Sequence, residues 1–225
     1  MSSQTFERSE SNSQSQKDDS EENTDNTFSS TEEDQLQNSP SDKSNNSPDI
    51  LDSIDLSSEY QSVLERYYKP MYCVKLEGKD IEHHCLLFHS NRICLLTLPT
   101  SHPVIEQTKT LLRINYNVSG GVDRLKNKVS GKGKKGGQKL MPTSVVCQIE
   151  CADGTNYKIR SCVKGKLIEM NQKLIDEPHE LLMDPKTTGH IAVILCDLST
   201  VDASKENMLS QEDFEKLLLE NKKTG

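Results

Sequence analysis

The sequence predicts a mainly β domain, a small barrel or sandwich with short flanking helices, preceded by an acidic tail that does not fold. Three observations carry this expectation. Short runs rich in Val, Ile and Leu follow one another between positions 71 and 196, each closed by Gly, Pro, Asn or Asp. Residues 1–58 hold 14 acidic and 3 basic side chains among 16 serines, with Phe6 and Phe28 isolated, so they cannot bury enough apolar surface to offset the entropy of ordering. The chain also closes on the capping signal Ser210-Gln-Glu-Asp213 ahead of Phe214, Leu217 and Leu218 on one helical face. Residues 1–55 are therefore expected as a disordered tail and 56–225 as the ordered domain.

Composition bounds the function. The chain has 225 residues, 32% hydrophobic and 28% charged, with no Trp and a mean hydropathy of −0.70. No window approaches the roughly 18 apolar residues of a membrane span, and the start MSSQTFERSESNSQ lacks the apolar segment of a secretory signal. A cytosolic or nuclear protein is expected. Seven cysteines, at 73, 85, 94, 147, 151, 162 and 196, are odd in number and lie mostly in apolar runs; they read as small core hydrophobes of a reducing compartment rather than a disulfide framework. The net charge of −8 divides into −11 for residues 1–58 and +3 for the rest. Within the tail, Ser39-Pro40 and Ser47-Pro48 suit proline-directed kinases and Ser30-Thr-Glu-Glu-Asp34 an acid-directed one; the plain alternative is a solvating tail.

Along the ordered part, Leu56, Tyr60, Val63, Leu64 and Tyr67 share one face of a short helix expected to end at Pro70. Strands are expected at 71–76, 84–89, 92–98, 110–118, 144–150, 156–162, 165–170 and 190–196. Leu112, Ile114, Tyr116 and Val118 alternate strictly, which places them on one sheet face. The continuous run from Ile191 to Cys196 predicts burial on both faces. Gly165, between Ser161-Cys-Val-Lys164 and Lys166-Leu167, is expected at a tight strand turn where a positive φ or a close backbone approach excludes a Cβ.

Two clusters of chemistry-bearing residues stand out. His83, His84, Cys85, His89 and Cys94 lie close in sequence, but on a strand His84 faces away from His83 and Cys85, and no CxxC knuckle is present. Core and hairpin-rim positions are expected, and no metal. No cysteine sits at a glycine-flanked helix start that would lower its pKa, so no catalytic nucleophile is expected. From Arg124 to Lys139 the chain reads RLKNKVSGKGKKGGQK, with Arg124, Lys126, Lys128, Lys132, Lys134, Lys135 and Lys139 and no acid. Walker spacing fails, because Gly136 is followed by Gly137 and Gln138 rather than Lys and Ser or Thr. A mobile basic loop is either a solvated connection or a dock for an acidic surface, nucleic acid or import receptor. The loop holds no aromatic side chain for base stacking.

Two resemblances add to this. Ser161-Cys-Val-Lys-Gly165, Leu167-Ile-Glu-Met-Asn171, Leu174, Pro178, Leu181, Asp184-Pro-Lys-Thr-Thr-Gly189 and Leu209-Ser-Gln-Glu-Asp-Phe-Glu215 resemble the C-terminal half of the glycine cleavage H-protein, a lipoyl-carrying barrel-sandwich hybrid. Such carriers project a lysine from a hairpin, whereas this chain has Cys151-Ala-Asp-Gly-Thr-Asn156 there. The resemblance thus implies the scaffold without its arm and without a cofactor.

Over a longer span, Leu64-Glu-Arg-Tyr-Tyr-Lys-Pro70, His84-Cys-Leu-Leu-Phe-His-Ser-Asn-Arg-Ile-Cys94, Ser101-His-Pro-Val104 and Leu125-Lys-Asn-Lys-Val-Ser-Gly-Lys132 resemble the Abitram family of actin-binding transcription modulators. That resemblance implies a non-enzymatic protein binding monomeric and filamentous actin, tuning polymerisation and filopodium dynamics, and residing in nuclear speckles and cytoplasm. The alternatives are a lipoyl or acyl carrier and an RNA-associated nuclear factor. The basic loop is the expected partner contact.

Overall fold

A computed structural model describes residues 55, 60–118 and 120–224. The acidic tail, its kinase-type serines and Leu56 lie outside the described residues.

The ordered part is mainly antiparallel β, as the spacing of apolar runs predicts. A short helix α1 (Val63–Tyr67) leads into β1 (Tyr68–Leu76), β2 (Lys79–His89) and β3 (Ile93–Thr97). Then come α2 (Pro103–Glu106), β4 (Leu111–Asn115), and the short strands β5 (Asn117–Val118), β6 (Val122–Asp123) and β7 (Lys139–Leu140). β8 (Val145–Cys151), β9 (Asn156–Arg160) and β10 (Gly165–Met170) follow, then α3 (Lys173–Asp176), α4 (Glu180–Met183), β11 (Ala192–Cys196), α5 (Val201–Glu206) and α6 (Gln211–Thr224). Six strands pair in the order β1-β2-β3-β11-β10-β7, and β4-β8-β9 form a second sheet. Side chains from both sheets meet in one core that includes Leu86, Leu96, Ile114, Ile149, Ile159, Leu167 and Ile194.

The β1–β2 hairpin shows how the pleat divides the molecule. Its turn, Glu77-Gly78, has φ of 51° and 77°, the two successive positive values of a type I′ connection. Beyond it, Leu86 and Phe88 face the main core, while Cys85 and Leu87 join Tyr72 and Phe214 in a second cluster. Helix α6 covers that second face: Phe214 stacks on Tyr72 at 4.1 Å and 4°. Tyr72 and the Leu209 segment exchange two backbone hydrogen bonds of 2.9 Å, which fixes where α6 starts.

Three expectations need correction. The first helix is only five residues long and does not run to Pro70. A capping box joins Ser62 and Glu65, but Pro70 restricts Lys69 to extended backbone and itself lies in β1, opposite Leu87. β1 is an edge strand, where the missing N–H is tolerated. Tyr60, Val63 and Tyr67 are exposed, and only Leu64 packs, against the second cluster. Secondly, the alternation of 112–118 is broken. A bulge between Leu111 and Arg113 turns Leu112 out to 63% exposure while Ile114, Tyr116 and Val118 are buried. Thirdly, the 191–196 run is fully buried at Ile191, Ala192, Ile194 and Cys196, whereas Val193 and Leu195 are half-buried.

Candidate functional site

The histidine and cysteine cluster is consumed by the fold. His84 is buried, donates through Nδ1 to the Glu82 carbonyl at 2.6 Å and accepts the Arg160 backbone N–H at Nε2, 2.9 Å away. Burial is the main cause that lowers its pKa to about 4, and a second proton would displace the Arg160 bond. His102, also buried, accepts the Val104 N–H; burial lowers its pKa to about 3. All seven cysteines are free and buried, and burial pushes the Cys85 thiol up to about 12. Among the described residues no group of His, Cys, Asp and Glu has the arrangement of a metal site.

The β8–β9 turn is equally self-contained. Gly154 supplies its positive φ of 83°, and the Asp153 carboxylate caps the Thr155 N–H and pairs with Lys109 at 2.5 Å. The Lys109 ammonium and the Thr155 hydrogen bonds hold that carboxyl well below its ordinary range. No lysine lies in the turn.

The basic loop is organised differently. Arg124, expected as a partner contact, is 7% exposed: its Nε and Nη2 donate to the Val145 carbonyl and its Nη1 to Gln138. Burial lowers its pKa. Gln138 donates in turn to the Asp123 carbonyl, and Asn127 spans from the Gln138 N–H to the Leu167 and Ile168 carbonyls. These bonds tie both ends of the loop to the sheet. At its tip Ser130 and Lys135 exchange two backbone bonds of 2.9 Å, with positive φ at Gly131, Lys134 and Gly136. Lys166 of β10 clips the tip by donating to the Gly133 carbonyl at 3.0 Å. The loop is thus a hydrogen-bonded platform rather than the free segment its composition suggests.

Of the seven predicted cations, Arg124 is structural and Lys126 lies 3.7 Å from the Asp123 carboxylate. Lys128, Lys132, Lys135 and Lys139 are exposed and Lys134 half-buried, and none of these five forms an ion pair among the described residues. Two of them, Lys132 and Lys139, also border a cleft of about 550 Å³ with Arg92, Lys164 and Lys166. Sequence reasoning missed Lys164 and Lys166 as members of the surface. The signal was present in Lys164-Gly165-Lys166: residues two apart on extended backbone share a face.

Fold and surface together define a mainly antiparallel β protein that presents a braced platform of unpaired lysines. Compared with known proteins, no family model matches the chain. It is 43% identical over 157 residues to protein Abitram of Danio rerio, covering 70% of this chain and 89% of the relative. To protein Abitram of Xenopus tropicalis it is 41% identical over 167 residues (74% and 91% covered), and to that of Homo sapiens 41% over 158 (70% and 87%). The chain belongs to the Abitram family. Among solved structures it is similar to a glycine cleavage system H protein from Mycobacterium marinum, with a TM-score of 0.47 and 11% identity over 66% of this chain and 95% of that one.

Proposed function

We propose that this protein is a non-enzymatic actin-binding protein that engages both monomers and filaments, tunes polymerisation and filopodium dynamics, and divides between cytoplasm, including actin-rich projections, and nuclear speckles. The observation that carries this reading is the basic platform: five lysines without an ion-pair partner among the described residues, set on a loop braced by Arg124, Asn127, Gln138 and Lys166. Each exposed cation adds roughly 0–1 kcal/mol against an opposite charge. A braced cluster adds several such terms without ordering a free loop on binding. Membership of the Abitram family supports the choice of actin, since that is the partner the sequence resemblance implies.

Co-sedimentation with filaments across a salt series tests it. Binding should be present at low salt and fall steeply by physiological ionic strength; wild type that stays in the supernatant at low salt removes the reading. Polymerisation kinetics with fluorescent monomer test the second half, and imaging of the tagged protein against a speckle marker tests the nuclear pool. A lysine adduct in the intact mass would favour a carrier instead, and tighter, salt-dependent binding to RNA than to actin an RNA-associated factor.

A further inference from the structure

The cleft beside the basic platform has a composition that a charge-only dock does not need. It lies where the start of β10, the end of β11 and β7 meet the β2–β3 turn, and it is about 550 Å³, room for a few side chains. Arg92, Lys132, Lys139, Lys164 and Lys166 surround it, and Asp197 is the only acidic residue lining it. That acid is already engaged: its carboxylate accepts from the Ser199 N–H and hydroxyl and lies 3.4 Å from Lys164 Nζ. Arg92, Lys132 and Lys139 have no ion-pair partner among the described residues.

Two further features distinguish the site from a solvated face. Lys139 and Lys166 are direct cross-strand partners, and like charges opposite one another destabilise a sheet. Lys166 reaches the Gly133 carbonyl, but Lys139 is left beside it uncompensated, a placement that an anion in the cleft relieves. Moreover, Met141 and Leu198 line the cleft while 54% and 70% exposed. Backbone strain falls here too, since Arg92 holds φ at 71°, a conformation costly for a side chain of its size. Gly165 forms part of the wall, and no side chain fits there, since a Cβ on it would meet the Leu195 carbonyl oxygen at 2.5 Å.

We infer that this cleft binds a short acidic segment of a partner protein that carries aliphatic side chains between its carboxylates. The carboxylates would meet Arg92, Lys132 and Lys139, and an aliphatic side chain would cover Met141 and Leu198. The occupant follows from charge complementarity combined with exposed apolar side chains. Inorganic phosphate leaves the apolar part unused, and a nucleic acid finds no aromatic among the lining residues. The inference rests on the basic surface being a protein dock, but not on that protein being actin.

Fluorescence anisotropy with the full chain tests it. The probe is a labelled peptide of two leucines set among four glutamates, with a control peptide in which serine replaces leucine. The leucine peptide should bind at least fivefold more tightly than the control. Met141→Ser with Leu198→Ser should remove that preference, and Arg92→Gln with Lys139→Gln should weaken the leucine peptide about tenfold. Lys79→Gln with Lys158→Gln, exposed and outside both the cleft and the basic loop, should leave it within twofold. All these side chains are at least partly exposed, so thermal melts confirm folding without confounding the readout. Equal binding of the two peptides, an undiminished Met141→Ser/Leu198→Ser variant, or tighter binding of an RNA oligonucleotide than of either peptide would each overturn the cleft. Filament co-sedimentation of the same variants keeps the two readings separate. Peptide binding by wild type that does not sediment with filaments leaves the cleft standing and removes actin as its source, whereas sedimentation without leucine preference does the reverse.

Discussion

The strand around His84 and the loop around Lys134 both gather polar side chains, and the fold treats them oppositely. In the first, the histidines meet partners inside: His84 is bonded at both ring nitrogens and His83 lies edge-on to Phe214 at 5.2 Å. In the second, only the framework is satisfied and the lysines at the tip are left to solvent. The difference arises from the backbone. From His84 to Phe88 strand β2 alternates its side chains between two covered faces, so a polar group there must pair or be neutral. The loop spends its own N–H and C=O groups on bracing and needs none of its lysine side chains for it, apart from Lys166 reaching in from β10.

Acidification should separate the two regions most. His84 has a folded-state pKa of about 4 against an ordinary 6.5, so between those values the unfolded chain takes up a proton that the folded chain refuses. Stability is therefore full above about pH 6.5, falls as pH drops towards 4, and flattens below. The loss is on the order of 3 kcal/mol for this group, and His102, lowered from the same ordinary value to about 3, adds its own loss over the same range and continues it to lower pH. Urea denaturation at pH 7, 5.5 and 4.5 measures it. His84→Gln, which cannot be protonated there, should shrink the slope even though it starts from a less stable protein, whereas Lys132→Gln with Lys135→Gln should leave the slope unchanged. A slope that survives His84→Gln undiminished would assign the transition elsewhere.

Arg124 is the member of the loop that behaves like the strand. Arg124→Ala leaves the Val145 carbonyl and the Gln138 side chain without their donor, which should cost about 2–4 kcal/mol and loosen the platform as well. Gly165→Val should cost on the order of 1–3 kcal/mol, because its Cβ meets the Leu195 oxygen and Ile194 Cγ2, 2.5 and 3.0 Å away. Chemical denaturation checks both, and unchanged midpoints would contradict the packing described.

Much of this was legible from residues alone. Gly165 was expected at a tight turn with a positive φ or a close approach; it begins β10 without a positive φ and has the close approach, and the strand runs from 71 to 196 fall close to where alternation places them. What alternation does not carry is a bulge, so Leu112 was assigned to the wrong face. The short helices α2, α3, α4 and α5 were missed because four to six residues hold too little periodicity to read, although Pro103 after His102 was an unread signal for α2. For the surface, linear clustering counted Arg124 as a contact because charge is visible in a sequence and burial is not. It omitted Lys164 and Lys166, which the pairing of β10 with β7 and β11 brings to Lys139, and Arg92, which the β3–β11 pairing and its carbonyl's bond from the Cys196 N–H bring to the same end of the sheet. A site assembled from the ends of separate strands has no spacing of its own.

The smallest effect on stability, and the one that bears most on function, concerns Lys132, Lys134 and Lys135. Their side chains make no ion pair among the described residues, and Lys134→Glu keeps the φ of 50° that the turn imposes at no new cost, since neither residue is a glycine. The brace donated by Lys166 goes to backbone carbonyls, which the exchange leaves in place. Replacing all three by Glu should therefore change unfolding free energy by no more than about 0.5 kcal/mol, while reversing six units of charge at the tip. Filament binding should fall several-fold at low salt and its salt dependence should flatten, because the charges that gave it are gone. A melting temperature lowered by many degrees would show that the tip is part of the fold's own bonding after all, which would erase the contrast with the His84 strand. Undiminished co-sedimentation of a stable triple variant would move the contact off the tip, to the face around His89 to Arg92 at the β2–β3 turn.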